Sequence, residues 1–193
     1  MTAPHLTPLP GPAADFAARL RESLPVIETE RCILRAPVLQ DAPHWIAIMV
    51  PDAEGHLGGP HDADGAFVEF AATVGTWLLR GHGLWTVTDR AGKVLGFVLI
   101  GFEPGDQSPE LGWLFLPEAR GQGLAAEAAA AARAHALGPL ALPELVSYLS
   151  TTNTASRRLA QRLGAVLDGT IAEPDSDAMA EIWRHAPQPA ETA

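Results

Sequence analysis

The 193-residue chain contains one cysteine, one tyrosine and one lysine, and it has no long apolar run. A single cysteine, Cys32, excludes an internal disulfide and a cysteine-ligated metal cluster. No apolar run approaches the roughly 20 residues that a membrane-spanning helix needs. The first residues also lack the basic and apolar regions of a signal peptide. We therefore expect a cytoplasmic protein that does not associate with membranes.

Positive charge is also scarce, because 13 basic residues face 23 acidic ones and the formal net charge is −10. A nucleic-acid-binding protein should present a basic face, so this composition argues against that class. A negative field mildly favours a cationic or amine-bearing partner, although the same acidity also serves solubility alone. Hydrophobic residues make up 47% of the chain, which is typical of a globular domain.

Hydrophobic periodicity and turn residues predict a single mixed α/β (α+β) domain with a mostly antiparallel sheet. We expect an N-terminal extension over residues 1–25 (a mobile start, then a helix carrying Phe16, Leu20 and Leu24), a domain over 26–186 and a tail over 187–193. Asp41 is predicted to cap the helix that follows the first strand. The predicted strands cover 30–37, 84–89, 94–102, 110–116, 145–150, 165–171 and 180–186, and the predicted helices cover 39–50, 67–81, 123–137 and 154–164.

A glycine-rich turn stands directly before the most alanine-rich segment, in EARGQGLAAEAAAAARAHA from Glu118. A helix N-terminus offers unpaired N–H groups and partial positive charge, which suit a phosphate or pyrophosphate. Gly121, Gly123 and Ala125 leave room for such a ligand, and Arg120 is placed either to bind a phosphate or to brace the loop. A loop that needs glycines only to turn is the alternative. The Walker and dinucleotide-binding patterns are absent, because no Gly-Lys-Ser/Thr triplet occurs and Ala126 stands where the latter needs glycine.

The segment Arg120-x-x-Gly123-x-Ala125 resembles the acetyl-CoA signature of the GNAT superfamily of N-acetyltransferases. Three further segments are similar to the subfamily that acetylates the N-terminal alanine or serine of ribosomal proteins. They are IETERCILRAP near the start, Glu-Leu-Gly-Trp before the signature, and the block from Asn153 through Ser156 to Gly164. Cys32 stands where that subfamily commonly has leucine. The matches follow the family's order across about residues 26–186.

The resemblance implies a twisted, mostly antiparallel sheet with helices on both faces, whose fourth and fifth strands splay apart to admit the pantetheine arm of acetyl-CoA. Backbone groups of Leu114, Phe115 and Leu116 would bond that arm. The turn would hold the pyrophosphate through Arg120, Gly121, Gln122, Gly123, Leu124 and Ala125. Arg158, or its neighbour Arg157, would meet the adenosine phosphates, or else lie on a solvated helix face.

The implied reaction is direct acetyl transfer to a primary amine. It needs a general base, oxyanion stabilisation and help for the departing sulfur. Glu110 is our candidate base, and its alternative is an exposed strand-end carboxylate. Asn153 is expected to donate to the pantetheine or substrate, or only to cap the following helix. Ser156 is favoured as the donor to the sulfur, because the single tyrosine, Tyr148, lies within a strand and is expected to pack.

The acceptor is expected to be an amine-bearing small molecule or a protein N-terminus, with Trp113 near the acceptor pocket or in the core. A homodimer is possible by resemblance. The extension is a candidate dimer arm or acceptor lid, and the acidic turn at residues 173–177 is a candidate acceptor contact. No metal is expected, since loop ligands such as His56 and His61 lack the spacing of a metal site. The alternative functions are a non-catalytic acyl-CoA-binding sensor on the same fold and a cofactor-free scaffold.

Overall fold

The computed structural model describes residues 3–52, 55–172 and 179–185. The expected acidic turn at 173–177 and the tail at 187–193 lie outside these residues. Within them, the helices are α1 (Pro12–Glu22), α2 (Ala42–Met49), α3 (Ala63–Arg80), α4 (Leu124–Leu137) and α5 (Thr154–Arg162). The strands are β1 (Ile27–Glu28), β2 (Cys32–Arg35), β3 (Leu84–Asp89), β4 (Val94–Gly101), β5 (Glu110–Phe115), β6 (Val146–Ser150), β7 (Val166–Ala172) and β8 (Met179–Arg184).

The strands form one sheet in the order β1-β2-β3-β4-β5-β6-β8-β7, in which β5 and β6 are parallel and the other described pairs are antiparallel. Strand β5 pairs with β4 along its whole length, and β6 pairs with β8 along its whole length. Between β5 and β6, however, the register contains a single pair, Glu110 with Val146. The sheet is thus two antiparallel halves that meet at one point, and the predicted mixed, mostly antiparallel fold is confirmed.

Each face of the sheet carries its own hydrophobic core. Alternate residues of β3 and β4 point to opposite faces, as the two-residue period of a strand requires. One core lies under α2 and α3 and contains Trp45, Phe70 and Phe97. The other lies under α4 and contains Trp85 and a run of small side chains on that helix. Helices therefore cover both faces, as expected, and every residue of the central strand β4 is buried.

The N-terminal extension packs along the domain at two places. The ring of His5 lies 4.8 Å from that of Phe67, and Leu6 packs against the core under α2 and α3. Leu24 packs against the core under α4. Helix α1 forms as its spacing predicted, but Phe16 is 57% exposed, so the apolar face of α1 is not part of the core. None of the helices in the described ranges combines the length and apolarity that crossing a membrane requires.

Asp41 is the N-cap residue of α2, as predicted, but its side chain makes no capping hydrogen bond to that helix, because the carboxylate has other partners. Asp41 is 2% exposed and accepts two hydrogen bonds from the guanidinium of Arg35, at 2.7 and 2.9 Å. The hydroxyl of Thr86 and the N–H of Val38 also donate to it, at 2.7 and 2.9 Å. These bonds outweigh burial and lower the pKa of Asp41. Asp41 therefore ties β2, β3 and the start of α2 together.

Replacing Asp41 with alanine should lower the free energy of unfolding by about 3 kcal/mol, because it leaves Arg35, Thr86 and an amide without their common acceptor. Urea unfolding measures the change. The matched control is Glu28→Ala, which breaks the ion pair with Arg90 on the surface, where both side chains are at least half exposed. That control should cost less than about 1 kcal/mol. Equal losses in the two variants would contradict the role given to Asp41.

Candidate active site

The candidate site is the gap that opens between β5 and β6 beyond their single paired position. At the closed end, the N–H of Val146 donates to the carbonyl of Pro109 at 3.0 Å, and the hydroxyl of Ser147 donates to the carbonyl of Leu111 at 2.6 Å. Beyond this point each strand follows its own antiparallel partner, so the two diverge. The splay between the predicted fourth and fifth strands is therefore present, as β5 and β6.

The backbone of β5 alternates between bonding β4 and facing the gap. The N–H of Leu116 donates to the carbonyl of Leu95 at 3.0 Å, which places that residue in a hydrogen-bonded pair with β4. Because bonded and non-bonded pairs alternate in an antiparallel ladder, Leu114 also bonds β4, whereas Trp113 and Phe115 present their backbone groups to the gap. Of the three residues expected to bond the pantetheine arm, only Phe115 has backbone groups on that side.

The open end of the gap leads into the glycine turn. Gly123 is the N-cap of α4, and Gly121 and Gly123 have φ angles of 73° and 79°. Glycine adopts this left-handed conformation without a steric penalty, and the turn carries no side chain at either position. Leu124 is 8% exposed and packs into the core under α4, and Ala125 packs beside it. The turn therefore meets the geometric requirement for an anion site made of backbone amides.

Two side chains of the turn brace it. The Nε of Arg120 donates to the carbonyl of Phe115 at 2.8 Å, and the Nε2 of Gln122 donates to the carbonyl of Glu118 at 2.8 Å. The structure thus shows Arg120 in the bracing role that the sequence left open. Arg158 is exposed on α5 and does not line the cavity described below.

The start of α5 forms the opposite wall of the gap. The Oδ1 of Asn153 accepts the N–H of Ser156 at 3.0 Å, so Asn153 caps α5 through its side-chain oxygen. The side-chain NH₂ takes no part in this cap. The indole Nε1 of Trp113 donates to the hydroxyl of Ser156 at 3.3 Å, which bridges the gap from β5 to α5. Arg157 anchors this helix through a 2.8 Å ion pair with the buried Glu181 of β8.

A cavity of about 970 Å³ runs along the gap and under the loop between α2 and α3. Glu110, Trp113, Asn153 and Ser156 all line it, so the predicted catalytic and substrate residues are brought together. The glycine turn is not part of this lining and stands at the end of β5. The arrangement gives a long, two-ended site with carboxylates at one end and backbone amides at the other.

Carboxylates crowd the closed end of the cavity. Burial, followed by the charges of Asp106 and Glu103, raises the pKa of Glu110 to about 8, although the N–H of Tyr148 donates to its Oε1 at 3.4 Å. Burial and the charge of Asp106 also raise the pKa of Glu103. Burial likewise raises the pKa of Asp106 and of Glu69 on α3. Glu110 is thus held largely protonated at neutral pH, in a site that favours a positively charged guest.

Sequence reasoning missed the other members of this acidic wall. Glu103 and Asp106 precede Glu110 in the turn EPGDQSPE, whose three carboxylates in eight residues were an available signal. Glu69 lies on α3, and only the packing of that helix brings it to the cavity. Tyr148 also lines the cavity, and its hydroxyl accepts the N–H groups of Gln107 and Ser108 at 3.0 Å. The tyrosine therefore holds the acidic turn against β6.

The histidines of the loop before α3 take part in local contacts. The Nε2 of His61 lies 3.0 Å from the carbonyl of Leu57 and 3.4 Å from the carboxylate of Glu69. Among the residues that the structure describes, no group of three or more histidine, cysteine or acidic side chains is arranged to hold a metal ion.

Comparison with known proteins agrees with this geometry. The family model described as the acetyltransferase (GNAT) domain matches residues 31–166. An acetyltransferase from Agrobacterium tumefaciens str. C58 is 33% identical, with a TM-score of 0.78 over 85% of this chain and 95% of that chain. No protein with curated annotation matches the chain significantly.

Two more distant solved structures share the fold. The acetyltransferase from Salmonella typhimurium that modifies the N-terminal serine of ribosomal protein L7/L12 is 15% identical, with a TM-score of 0.70 over 85% of this chain and all of that chain. A ribosomal L7/L12 alpha-N-protein acetyltransferase, solved in complex with coenzyme A, is also 15% identical, with a TM-score of 0.69 over 84% of this chain and 98% of that chain. With the family model covering well over half of its length, the chain belongs to the GNAT acetyltransferase family.

Proposed function

We propose that the chain is an acetyl-CoA-dependent N-acetyltransferase that moves an acetyl group directly to a primary amine. The observation that carries the proposal is the gap between β5 and β6, which has Glu110 at its closed end and the glycine turn at its open end. A thioester laid along such a gap has its diphosphate at the turn and its acyl group near the acidic cavity. The family match supports the acyl-transfer chemistry.

The residues of the open end fit acetyl-CoA. A Cβ built on Gly121 meets nothing within 4 Å, so the approach to this bend is clear, and the first amides of α4 are available to a diphosphate. Along the gap, the backbone groups of Trp113 and the N–H of Phe115 are placed to bond a pantetheine arm as an added strand would, whereas the carbonyl of Phe115 accepts from Arg120. Asn153 lines the same cavity, and its side-chain NH₂ would donate to the arm from the start of α5. The related acetyltransferase solved with coenzyme A supports this assignment by analogy of fold.

The acceptor end suits an amine that arrives protonated. Carboxylates of Glu69, Glu103, Asp106 and Glu110 line one cavity, and their field attracts an ammonium group. A bound cation also favours the ionised form of Glu110. The ionised carboxylate is then a general base whose pKa lies near the operating pH, which suits removal of a proton from the ammonium group. A protein N-terminus and a small amine both meet this requirement. The relatives that act on ribosomal protein L7/L12 make a protein N-terminus one of the two acceptor classes to test.

The proposed reaction consists of two proton transfers and one acetyl transfer. The carboxylate of Glu110 takes one proton from the ammonium, directly or through water, and the neutral nitrogen attacks the thioester carbonyl. A carbon–nitrogen bond forms, the carbon–sulfur bond breaks, and the second nitrogen proton passes to the leaving thiolate. Ser156 is the donor placed for this transfer, because its oxygen accepts from Trp113 and its hydroxyl hydrogen stays available. The products are an acetamide, coenzyme A thiol and one proton returned to solvent from Glu110.

The proposal is tested by thiol release from acetyl-CoA with a panel of amines and short peptides with free N-termini. We expect amine-dependent release above the rate without acceptor, and Glu110→Gln should lower kcat at least about a hundredfold with unchanged coenzyme A affinity. The matched control Glu118→Gln, on an exposed residue beyond β5, should keep full activity. Binding of coenzyme A with no turnover on any amine would instead favour a non-catalytic acyl-CoA sensor.

The raised pKa of Glu110 predicts a distinctive dependence of stability on pH. The folded protein keeps this proton up to about pH 8, whereas the unfolded chain releases it near the ordinary value of 4.5. The free energy of unfolding of the wild type therefore decreases as pH rises from about 4.5 to 8. The Glu110→Gln variant lacks this decrease. The Tm of Glu110→Gln relative to wild type should increase across this range, while that of Glu118→Gln stays flat. A flat difference for Glu110→Gln would show that its pKa is ordinary.

Replacing Gly123 with valine should abolish coenzyme A binding in calorimetry. A β-branched residue is strained at the φ of 79°, and its side chain would press on the guanidinium of Arg31, so the turn would leave the geometry that presents its amides to a diphosphate. Gly164→Val is the matched control, since that glycine has a φ of 76° with open space around it and follows α5 at its far end. Both variants should lose stability, but only Gly123→Val should lose binding. Equal affinities in the two variants would refute the anion site.

A further inference from the structure

The glycine turn is held from outside by an arginine that the reaction scheme does not use. Arg31 lies between β1 and β2, ninety residues before the turn in sequence. Its Nη1 donates to the carbonyl of Gln122 at 3.0 Å, and its Nε donates to a carboxylate oxygen of Glu127 at 2.6 Å. Its backbone N–H donates to the other oxygen of Glu127 at 2.7 Å. The β1–β2 link is therefore fastened both to the turn and to α4.

Glu127 is an anchor rather than a surface charge. It stands in the first turn of α4, and its carboxylate also accepts the hydroxyl of Thr29 at 2.6 Å. With bonds from Thr29 and Arg31 outweighing burial, the pKa of Glu127 is lowered. The side chain is 18% exposed. Three short bonds hold this carboxylate, and the two that come from Arg31 fix the position of that residue, because charge-assisted bonds are about twice as strong as neutral ones.

The bond to Gln122 sets the orientation of the peptide that opens the helix. In a trans peptide the C=O and the following N–H point in opposite directions. The carbonyl of Gln122 faces Arg31, so the N–H of Gly123 points away from Arg31. The N-cap residue of α4 therefore presents its N–H on the side of the turn opposite to Arg31. The Nη2 of Arg31 lies 3.5 Å from the position of a Cβ on Gly123, so the guanidinium lies directly against this peptide.

Arg31 also offsets a charge that would oppose phosphate binding. A carboxylate in the first turn of α4 repels a diphosphate at the same helix end, whereas a salt-bridged carboxylate presents little net charge. Losing Arg31 would thus have two consequences for an anion at the turn. The peptide before Gly123 would be free to rotate, and the carboxylate of Glu127 would be left unneutralised.

We propose that Arg31 is a positioning residue for the diphosphate of acetyl-CoA, which it serves by fixing the Gln122–Gly123 peptide and by neutralising Glu127. The proposal rests on the proposed function, because it assumes that the turn binds acetyl-CoA. It assigns a role to the β1–β2 link, whose residues lie outside the cavity between β5 and β6. Arg31 does not touch the reacting atoms, so its effect should be confined to the diphosphate.

The test compares two acetyl donors, acetyl-CoA and acetyl-pantetheine, which lacks the diphosphate. Arg31→Gln should weaken coenzyme A binding in calorimetry roughly thirtyfold, the effect expected for losing a hydrogen bond that involves a charged group. The KM for acetyl-CoA should rise by a similar factor with kcat nearly unchanged, and kcat/KM for acetyl-pantetheine should stay at the wild-type value. Arg31→Lys should lie between the two, because lysine keeps the charge but not the fork that reaches both acceptors.

Arg90→Gln is the matched control. Arg90 binds the same link through the carboxylate of Glu28 and the carbonyls of Thr29 and Glu30, but within the part of the chain that the structure describes it makes no hydrogen bond to the turn. It should leave both donors unaffected. Equal losses for both donors in Arg31→Gln, or the same losses in Arg90→Gln, would reduce Arg31 to a structural role and overturn the proposal. Unchanged coenzyme A affinity in Arg31→Gln would overturn it too, whereas a wild type that binds no coenzyme A would refute the proposed function first.

Discussion

The single point of contact between β5 and β6 is the constraint on which the rest of the site depends. The two strands are parallel neighbours that share only the pair Glu110–Val146, since each is committed along its length to an antiparallel partner. Beyond that pair, the hydroxyl of Ser147 takes the place of a backbone N–H on the carbonyl of Leu111. The hydroxyl hydrogen of Ser147 is used in this bond to Leu111. The Nε2 of His185, which lies 3.0 Å from the Ser147 oxygen, is therefore the donor in the bond between those two side chains. A side chain thus ends the ladder where the gap begins.

The same junction explains the electrostatics of the acidic end of the cavity. Glu110, at the last paired position, is half-buried between strands on both sides, and the turn before β5 adds two more carboxylates. Burial and like charge act together on Glu110, which is why its pKa reaches about 8. His185 behind the junction is shifted in the opposite direction, since burial and the charge of Arg133 lower its pKa to about 4. At neutral pH both groups are therefore mostly uncharged, and a cationic guest would promote the ionisation of Glu110 alone.

Local patterns predicted the elements and the turn, whereas three-dimensional packing decided the side-chain partners. Alternation and glycine signals located β3, β4, β5 and α4 to within a few residues, because those signals reflect backbone geometry. Asp41 stands at the predicted N-cap position, but its side chain does not cap α2, since a local rule does not account for Arg35 and Thr86, which come from other elements. The link from Arg31 to Glu127 spans 96 residues and has no local signature at all. Likewise, Glu69 belongs to the cavity wall only because α3 folds back over the sheet.

The position of the glycine turn follows from the sheet topology. Parallel neighbours require a crossover connection, and α4 is the helix of that crossover between β5 and β6. Such a helix must begin at the end of β5 where the two strands have parted, so its free amides lie at the mouth of the gap. Its sheet-facing residues Ala128, Ala129, Ala132 and Ala136 are fully buried, and their small side chains let the helix lie close against the sheet. The alanine-rich segment thus brings the helix N-terminus close to the strands that border the gap.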